Sequence, residues 1–286
     1  MSLPPYPAEH SSQYFERPNP QFTYGTPVDA TPQGKAWVEG EKEGWTVVDT
    51  ATEDPGKLYR LMISGIIPRP VAFVSSISES GVENLAPFSW FNMVSHYPPL
   101  VSVSITNIGS KLKDTAANIK ATKEFVVNII SEPFIEQANV TCIDTPSDVS
   151  EWELSGLTRA PSVHVKAPRV KESAFSMECE LYQAIDIVHP DTGAKTNTFV
   201  LGLVKKIHVR NDVLLDRHSE AHPGEVVRLV DPVKYKPVAR MGDITYASCG
   251  PLYRIARPAW ATEKQKIEEL MAVIEGEAEM AKPGEF

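Results

Sequence analysis

Asn84, Leu85, Ala86, Pro87, Phe88, Ser89, Trp90, Phe91 and Asn92 follow one another between two β-like runs at 71–76 and 101–105, both rich in Val and Ser. Pro87 has no backbone donor and stiffens the chain beside Ala86. The amides of residues 84 to 86 are therefore expected to point outward. Fixed N–H groups stabilise charge that develops on a bound ring without reorganising. Trp90 and Phe91 offer flat apolar surface, and Ser89 offers a hydroxyl. About twenty residues on, Gly109, Ser110, Lys111, Lys113, Asp114 and Thr115 read as a tight turn into a helix. Ser110 or Asp114 is expected to cap that helix, while its open N–H groups, its dipole and the two lysines favour an anion. An aromatic wall beside an anion anchor suits a flat ring carrying a phosphate, the shape of flavin mononucleotide (FMN). Taken singly, each motif has a plainer alternative: a strand–turn–strand with core aromatics, and a capped surface helix.

The elements that must position these residues are mostly β. Strand-like runs occur at 71–76, 88–91, 101–105, 125–130, 177–188 and 198–209, and from Val47 onward the pattern is β. At 177–188, Glu178 and Glu180 alternate with Cys179 and Leu181, which predicts an antiparallel strand with one face buried. Helices are expected at 113–122, at 133–141 and at 261–280, the last with Ile267, Leu270, Met271 and Ile274 at helical spacing. The sum is a mainly β barrel with a few helices. No strict βαβ alternation and no Gly-x-Gly-x-x-Gly after a strand is present, which argues against a doubly wound nucleotide fold.

Composition sets limits. The chain has 286 residues, is 42% hydrophobic and carries a formal charge of −9, so a large core is affordable and a general nucleic-acid binder is disfavoured. Three scattered cysteines (Cys142, Cys179, Cys249) make neither a disulfide framework nor a zinc site and read as free, mostly buried thiols. The proline-rich start has no apolar core of a signal peptide, no stretch suits a membrane span, and a cytoplasmic location is expected. Residues 1–45 read as a Pro- and aromatic-rich extension that excludes long helix, 46–258 as the folded domain, and 259–286 as a C-terminal helix. The pair His218 and His222 has helical metal spacing, but Pro223-Gly224 follows at once, so a polar loop is expected.

Five pieces in order carry a family resemblance: 69–76 (Arg69-Pro70-Val71-Ala72-Phe73-Val74-Ser75-Ser76), 84–92, Pro98-Pro99, 113–119 and Glu124-Phe125-Val126-Val127-Asn128, with 239–242, Tyr246 and Arg257-Pro258 beyond them. These resemble the flavin reductase-like family in its flavoredoxin-type branch. The resemblance implies an FMN-binding split β-barrel that forms a homodimer, with FMN (or FAD) near the subunit interface. It implies that Asn84, Leu85, Ala86 and Pro87 hold the ring edge. Ser89, Lys113, Asp114 and Thr115 would surround the phosphate, and Arg240 would approach the cofactor. The motifs themselves add Ser110, Lys111, Trp90, Phe91 and Asn92 to the candidate cofactor site. The implied activity is hydride transfer from NADH or NADPH to FMN and on to a small acceptor; an electron carrier docking to a protein partner is the alternative.

Overall fold

The computed structural model describes residues 15–280 apart from 108, 110 and 219–223. Ser110 and most of the loop that holds the second histidine of the His218 pair therefore lie outside the described residues. Residue contacts group the chain into two units, 1–53 with 250–286, and 54–249.

In the first unit described segments from the N-terminal and C-terminal parts of the chain pack together. It holds helix α1 (Pro32–Glu39) and the long terminal helix, the seventh in chain order (Trp260–Met280). Gly25 sits against Leu270, and the Phe15 amide donates to Leu252 O at 2.7 Å. The exclusion of long helix expected for the first 45 residues leaves room for a short one, and α1 is only eight residues long. Pro32 falls in its first turn, where a missing N–H costs nothing, and Thr31 Oγ1 accepts from the Gly34 amide at 3.0 Å.

The second unit begins with α2 (Pro55–Gly65), where a β pattern was expected. Asp54 caps it by accepting from the Lys57 amide at 2.9 Å, and Pro55 again opens the helix. Then come β1 (Arg69–Pro70), β2 (Ala72–Ile77), β3 (Glu83–Phe88), β4 (Phe91–His96), β5 (Pro99–Thr106), α3 (Asp114–Thr122) and β6 (Glu124–Ile129). After α4 (Ile135–Val140) and α5 (Glu151–Ser155) follow β7 (Arg159–Ala160), β8 (Arg169–Val170), β9 (Phe175–Val188) and β10 (Lys195–Val209). The unit closes with β11 (Leu214–His218), β12 (Val226–Val230), α6 (Pro232–Tyr235), β13 (Val238–Arg240) and β14 (Tyr246–Ser248). The expected strand at 88–91 is instead the break between β3 and β4. Among the described residues no helix is long and apolar enough to cross a membrane.

Seven strands form one antiparallel sheet in the order β3-β2-β6-β9-β10-β5-β4. Its main core joins Val74, Val101, Val103, Ile105, Phe125, Val127, Cys179 and Val200 to Ala116 and Ile119 of α3. Burying such side chains supplies about 1.5–3 kcal/mol each, so α3 is held by its apolar side and its N-terminus is fixed relative to β3. Gly202 is required by close approach: a Cβ there would lie 2.5 Å from the Phe125 ring.

Two expectations about side chains are corrected. Glu178 does not face solvent; it is completely buried, because the 163–165 loop covers that face of β9. Its carboxylate accepts from the amides of Val163 (2.9 Å), His164 (2.6 Å) and Val165 (3.0 Å) and meets His208 Nε2 at 2.5 Å. Desolvation pushes its pKa up, but the hydrogen bonds outweigh it and hold the group below its ordinary value. Of the cysteines only Cys179 is buried; Cys142 and Cys249 are exposed, each on a loop outside the sheet.

Acid should weaken the sheet at a defined place. Asp186 on β9 is held to a pKa of about 2 by hydrogen bonds from Lys120 and Lys195. A carboxylate depressed in the folded state stabilises fully above its unfolded pKa of about 3.9 and loses that contribution as pH falls through the folded value. Melting curves between pH 5 and pH 2 are expected to show an acid loss that is smaller in Asp186→Asn; equal loss in both proteins would contradict the assignment.

Candidate functional site

The site grows from the outer edge of β3. This strand pairs with β2 on one side only, with Leu85 opposite Ser75 and Ala86 opposite Val74. In an antiparallel ladder the outward-facing amides fall on alternate residues, here 83, 85 and 87. Pro87 takes one of these outward positions, the place in a sheet where a missing N–H is tolerated. The Leu85 amide takes another, but it is not open to a ligand: it donates to Glu151 Oε2 at 3.0 Å, and the Leu85 side chain is fully buried. The same alternation turns the Asn84 and Ala86 amides inward to β2. The expected outward row of amides at 84–86 is thus corrected, because the edge is already sealed by α5.

Glu151 organises that seal. Its Oε2 also accepts from Asn84 Nδ2 at 2.8 Å, and its Oε1 accepts from Thr145 Oγ1 at 2.7 Å. Asn84 Oδ1 in turn accepts from Thr115 Oγ1 at 2.6 Å. Four buried or half-buried polar groups therefore tie β3, α3 and the 145–151 segment together. Each has a partner, which is what makes such a network tolerable away from water.

Beside this network lies a cavity of about 240 Å³ lined by Asn84, Ala86, Pro87, Lys111, Lys113 and Asp114, among others. The start of α3 opens into it. Lys113 is the N-cap and has no acceptor to offer, so Asp114, expected as the cap, is instead the first residue of the helix; the other expected cap, Ser110, lies outside the described residues. Among the described residues no side chain accepts from the first-turn amides. Donor-rich helix ends attract anions. Opposing this, Asp114 and Asp144 also line the cavity, and Asp144 holds Lys113 Nζ at 3.2 Å. That pair is mostly exposed, hence weak and exchangeable.

A second chamber of about 290 Å³ is lined by Tyr59, Ile63, Arg69, Val71, Pro87, Ser89, Trp90, Asn139, Cys142, Arg240, Asp243 and Tyr246. It shares Pro87 and Cys142 with the first cavity. Trp90 and Tyr59 meet in a tilted pair with ring centres 6.3 Å apart. The Arg240 guanidinium lies over Tyr246 at 4.5 Å, and Tyr246 donates to Asn139 Oδ1 at 3.1 Å. Ser89 belongs to this chamber, where its hydroxyl accepts from Arg69 Nε at 3.4 Å, and not to the cluster around Lys113. Although Cys142 reaches solvent, partial desolvation of its thiol between the two cavities pushes the pKa up, against the pull of Arg240 and Lys113, so the sulfur stays protonated near neutrality.

Among the expected site residues, Asn84, Ala86, Pro87, Lys111, Lys113, Asp114 and Thr115 come together at the first cavity, and Ser89, Trp90 and Arg240 at the second. Phe91 packs on the main core, and Asn92 is exposed with its Oδ1 accepting from the Met93 amide; neither lines either cavity. Glu151, Cys142, Tyr59, Arg69 and Tyr246 line the cavities without having been expected there. Among the described residues no group of three or more His, Cys, Asp or Glu is arranged to hold a metal.

Residues 64–225 match the family model described as flavin reductase like domain. An uncharacterized protein of Aquifex aeolicus is 38% identical over 194 residues, covering 68% of this chain and 90% of that protein. The crystal structure of nitrilotriacetate monooxygenase component B from Bacillus cereus superposes with a TM-score of 0.67 at 32% identity, covering 74% of this chain and 99% of that one. The 2-nitrobenzoate 2-nitroreductase NbaA of Pseudomonas fluorescens superposes with a TM-score of 0.62 at 26% identity, covering 75% and 98%.

Proposed function

Because the chain belongs to the flavin reductase-like family, whose solved neighbours share its mainly β split-barrel fold, we propose that it is an FMN-binding oxidoreductase drawing hydride from NADH or NADPH for a small acceptor. The observation that carries this reading is the joining of a donor-rich helix end to an aromatic chamber across Pro87 and Cys142. The donor set fits the cofactor: one helix terminus with two lysines matches one phosphate, and flat side chains match a ring.

When bound, the flavin supplies the redox chemistry itself. The chain has the tasks of binding and orientation. Lys111, Lys113 and the first-turn amides of α3 would hold the phosphate. Asn84, Ala86 and Pro87 would form the edge along which the cofactor lies, with Leu85 and Glu151 keeping that edge rigid. Ser89, Trp90 and Arg240 would face the ring end. Anaerobic mixing of the FMN-loaded protein with NADH, and separately NADPH, is expected to bleach the flavin absorbance with at least one of them; no bleaching with either would overturn the reductase reading.

Asp144 competes with the phosphate for Lys113. Exposed ion pairs are worth about 0–1 kcal/mol, so Asp144→Asn is expected to tighten FMN binding by up to about five-fold, measured by fluorescence titration. Weaker binding in that variant would place the anion elsewhere.

The reading includes a homodimer. Met93, Val94 and Tyr97 at β4 and Tyr182, Ile185, Ile187 and Ile207 on β9 and β10 leave large apolar surface exposed in the single chain. Exposed apolar patches of that kind mark interaction surfaces. Sedimentation equilibrium is expected to give twice the chain mass, and a monomer at micromolar concentration would exclude it.

A further inference from the structure

A third chamber, of about 390 Å³, is lined by Arg169, Lys171, Ser173, Ile207, His208 and Arg210, among others. None of these residues lines either cavity of the flavin reading. The basic side chains arrive in two pairs, each spaced by two residues and each at the end of a strand: Arg169 and Lys171 at β8, His208 and Arg210 at β10. The backbone fixes both pairs. Arg169 lies opposite Ala160 in the β7–β8 hairpin, and the Lys171 amide donates to Thr158 O at 2.9 Å. His208 lies opposite Ser176 on β9, and the Arg210 amide donates to Ala174 O at 2.9 Å.

The positive charge is not balanced from within. Among the described residues the lining includes no carboxylate and no Phe, Tyr or Trp, in a chain whose formal charge is −9. Arg169 Nε donates to a neutral oxygen, Pro161 O at 3.2 Å, and among the described residues neither Arg169 nor Lys171 pairs with a carboxylate. Arg210 is held by Asp212 at 2.6 and 3.0 Å, but that pair is more than half exposed, and Asp212 also feels Lys234. Exposed pairs are weak, so Arg210 is free to turn to a stronger anion. Glu178 stands behind His208, its oxygens taken by that ring and by the 163–165 amides. Two guanidinium forks and one ammonium match phosphate oxygens, and their summed charge exceeds that of one carboxylate. Without a flat apolar wall, nothing in the chamber selects for a ring.

We propose that this chamber binds a diphosphate group, held between Arg169 and Lys171 on one side and Arg210 on the other. The site does not rest on the flavin reading. A bound diphosphate ties the β7–β8 hairpin, which carries the loop over Glu178, to the end of β10, so it stabilises the fold as well as filling the chamber. Ile207 at the rim belongs to the apolar face read above as the dimer contact, so the test uses the protein in its native oligomeric state.

The test is calorimetric titration of the full chain with inorganic pyrophosphate, ADP, orthophosphate and sulfate at matched ionic strength, with thermal melts of the same samples. Pyrophosphate is expected to bind about ten-fold or more tightly than orthophosphate or sulfate, as one further charge-assisted contact implies, and to raise the melting temperature. ADP no tighter than pyrophosphate assigns the diphosphate group alone; ADP at least about ten-fold tighter assigns a nucleotide as its source, and either upholds the site. Arg169→Gln combined with Lys171→Gln should weaken pyrophosphate binding by about 100-fold and remove the thermal shift, while Arg169→Lys, which keeps the charge and loses the fork, should cost less. Lys111→Ala combined with Lys113→Ala should retain the pyrophosphate site. Binding by the unaltered protein that does not saturate, or that is no tighter than sulfate, overturns the proposal whether or not the variants fold. Pyrophosphate binding lost with Lys111 and Lys113 but kept without Arg169 and Lys171 overturns it as well, by giving the anion to α3.

Discussion

Replacing Lys111 and Lys113 together by alanine is expected to raise the dissociation constant for FMN by about 100-fold or more while leaving the melting temperature nearly unchanged. Hydrogen bonds to charged groups contribute about 1.5–3 kcal/mol each, and about 1.4 kcal/mol is tenfold in affinity. Stability should hold because the lysines take little part in packing. Lys111 is exposed, and among the described residues Lys113 meets Asp144, in a pair whose side chains are 36% and 71% exposed. Thr115 would be a poor substitute in this experiment. It is 2% exposed and donates to Asn84, so Thr115→Ala would damage the wall together with the anchor. Fluorescence titration of FMN, with a thermal melt of the same samples, checks both halves. An unchanged dissociation constant would move the phosphate away from α3.

The second large effect concerns the fold. Glu178→Ala should destabilise the protein by about 3–5 kcal/mol, the usual result of removing one partner from a buried charged cluster. For a unit of this size that corresponds to a fall in melting temperature of roughly 6–20 °C. The cause is specific. Three amides at 163–165 and the ring of His208 converge on this one carboxylate, and alanine would leave all of them facing a dry space. Glu178→Gln keeps the shape and one acceptor oxygen, so its loss should be smaller. Because the folded-state pKa is depressed, the contribution of Glu178 is present above the unfolded carboxylate range and lost as pH falls below it. Thermal melts of the three proteins at pH 7 decide the matter, and a Glu178→Ala variant as stable as the parent would mean that the loop re-forms its bonds elsewhere.

Much of the sheet is legible in the sequence because alternation leaves a strong mark. Val101, Val103 and Ile105 share a face, and Phe125, Val127 and Cys179 meet them in the same core. The amphipathic side of α3 is equally plain in Ala116 and Ile119. What alternation does not reveal is cover from a distant segment. Glu178 reads as solvent-facing until the 163–165 loop, some fourteen residues earlier, is placed over it. The outward amides inferred from Pro87 fail for the same reason, since Glu151 comes from about 66 residues away to take the Leu85 N–H. Proline carries a helix-start signal that the alternation pattern hides. Pro32 and Pro55 mark helix starts, and their caps at Thr31 and Asp54 were the available signals.

The site divides along similar lines. Its contiguous parts, 84–90 and 111–115, are readable as motifs because strand edge and helix end each act within a few residues. Phe91 and Asn92 continue the motif in sequence but turn away from it, since β4 begins there and sends Phe91 into the core. Arg69 and Tyr246 stand within the matched pieces without any local sign that they face the same chamber as Arg240. Only the pairing of β1 with β13 and of β13 with β14 brings them there. Glu151 and Cys142 have no motif at all; acidic residues ahead of Trp152 were the one hint for Glu151.

The central claim is that a single groove crossing Pro87 and Cys142 receives FMN with its phosphate at the start of α3. A crystal structure of the protein grown with excess FMN tests it most directly. The account predicts phosphate oxygens within hydrogen-bond distance of Lys111, Lys113 and the first-turn amides of α3, with the ring lying along Pro87. Density for FMN at any other place, or a phosphate remote from Lys113 in an otherwise ordered complex, would contradict it.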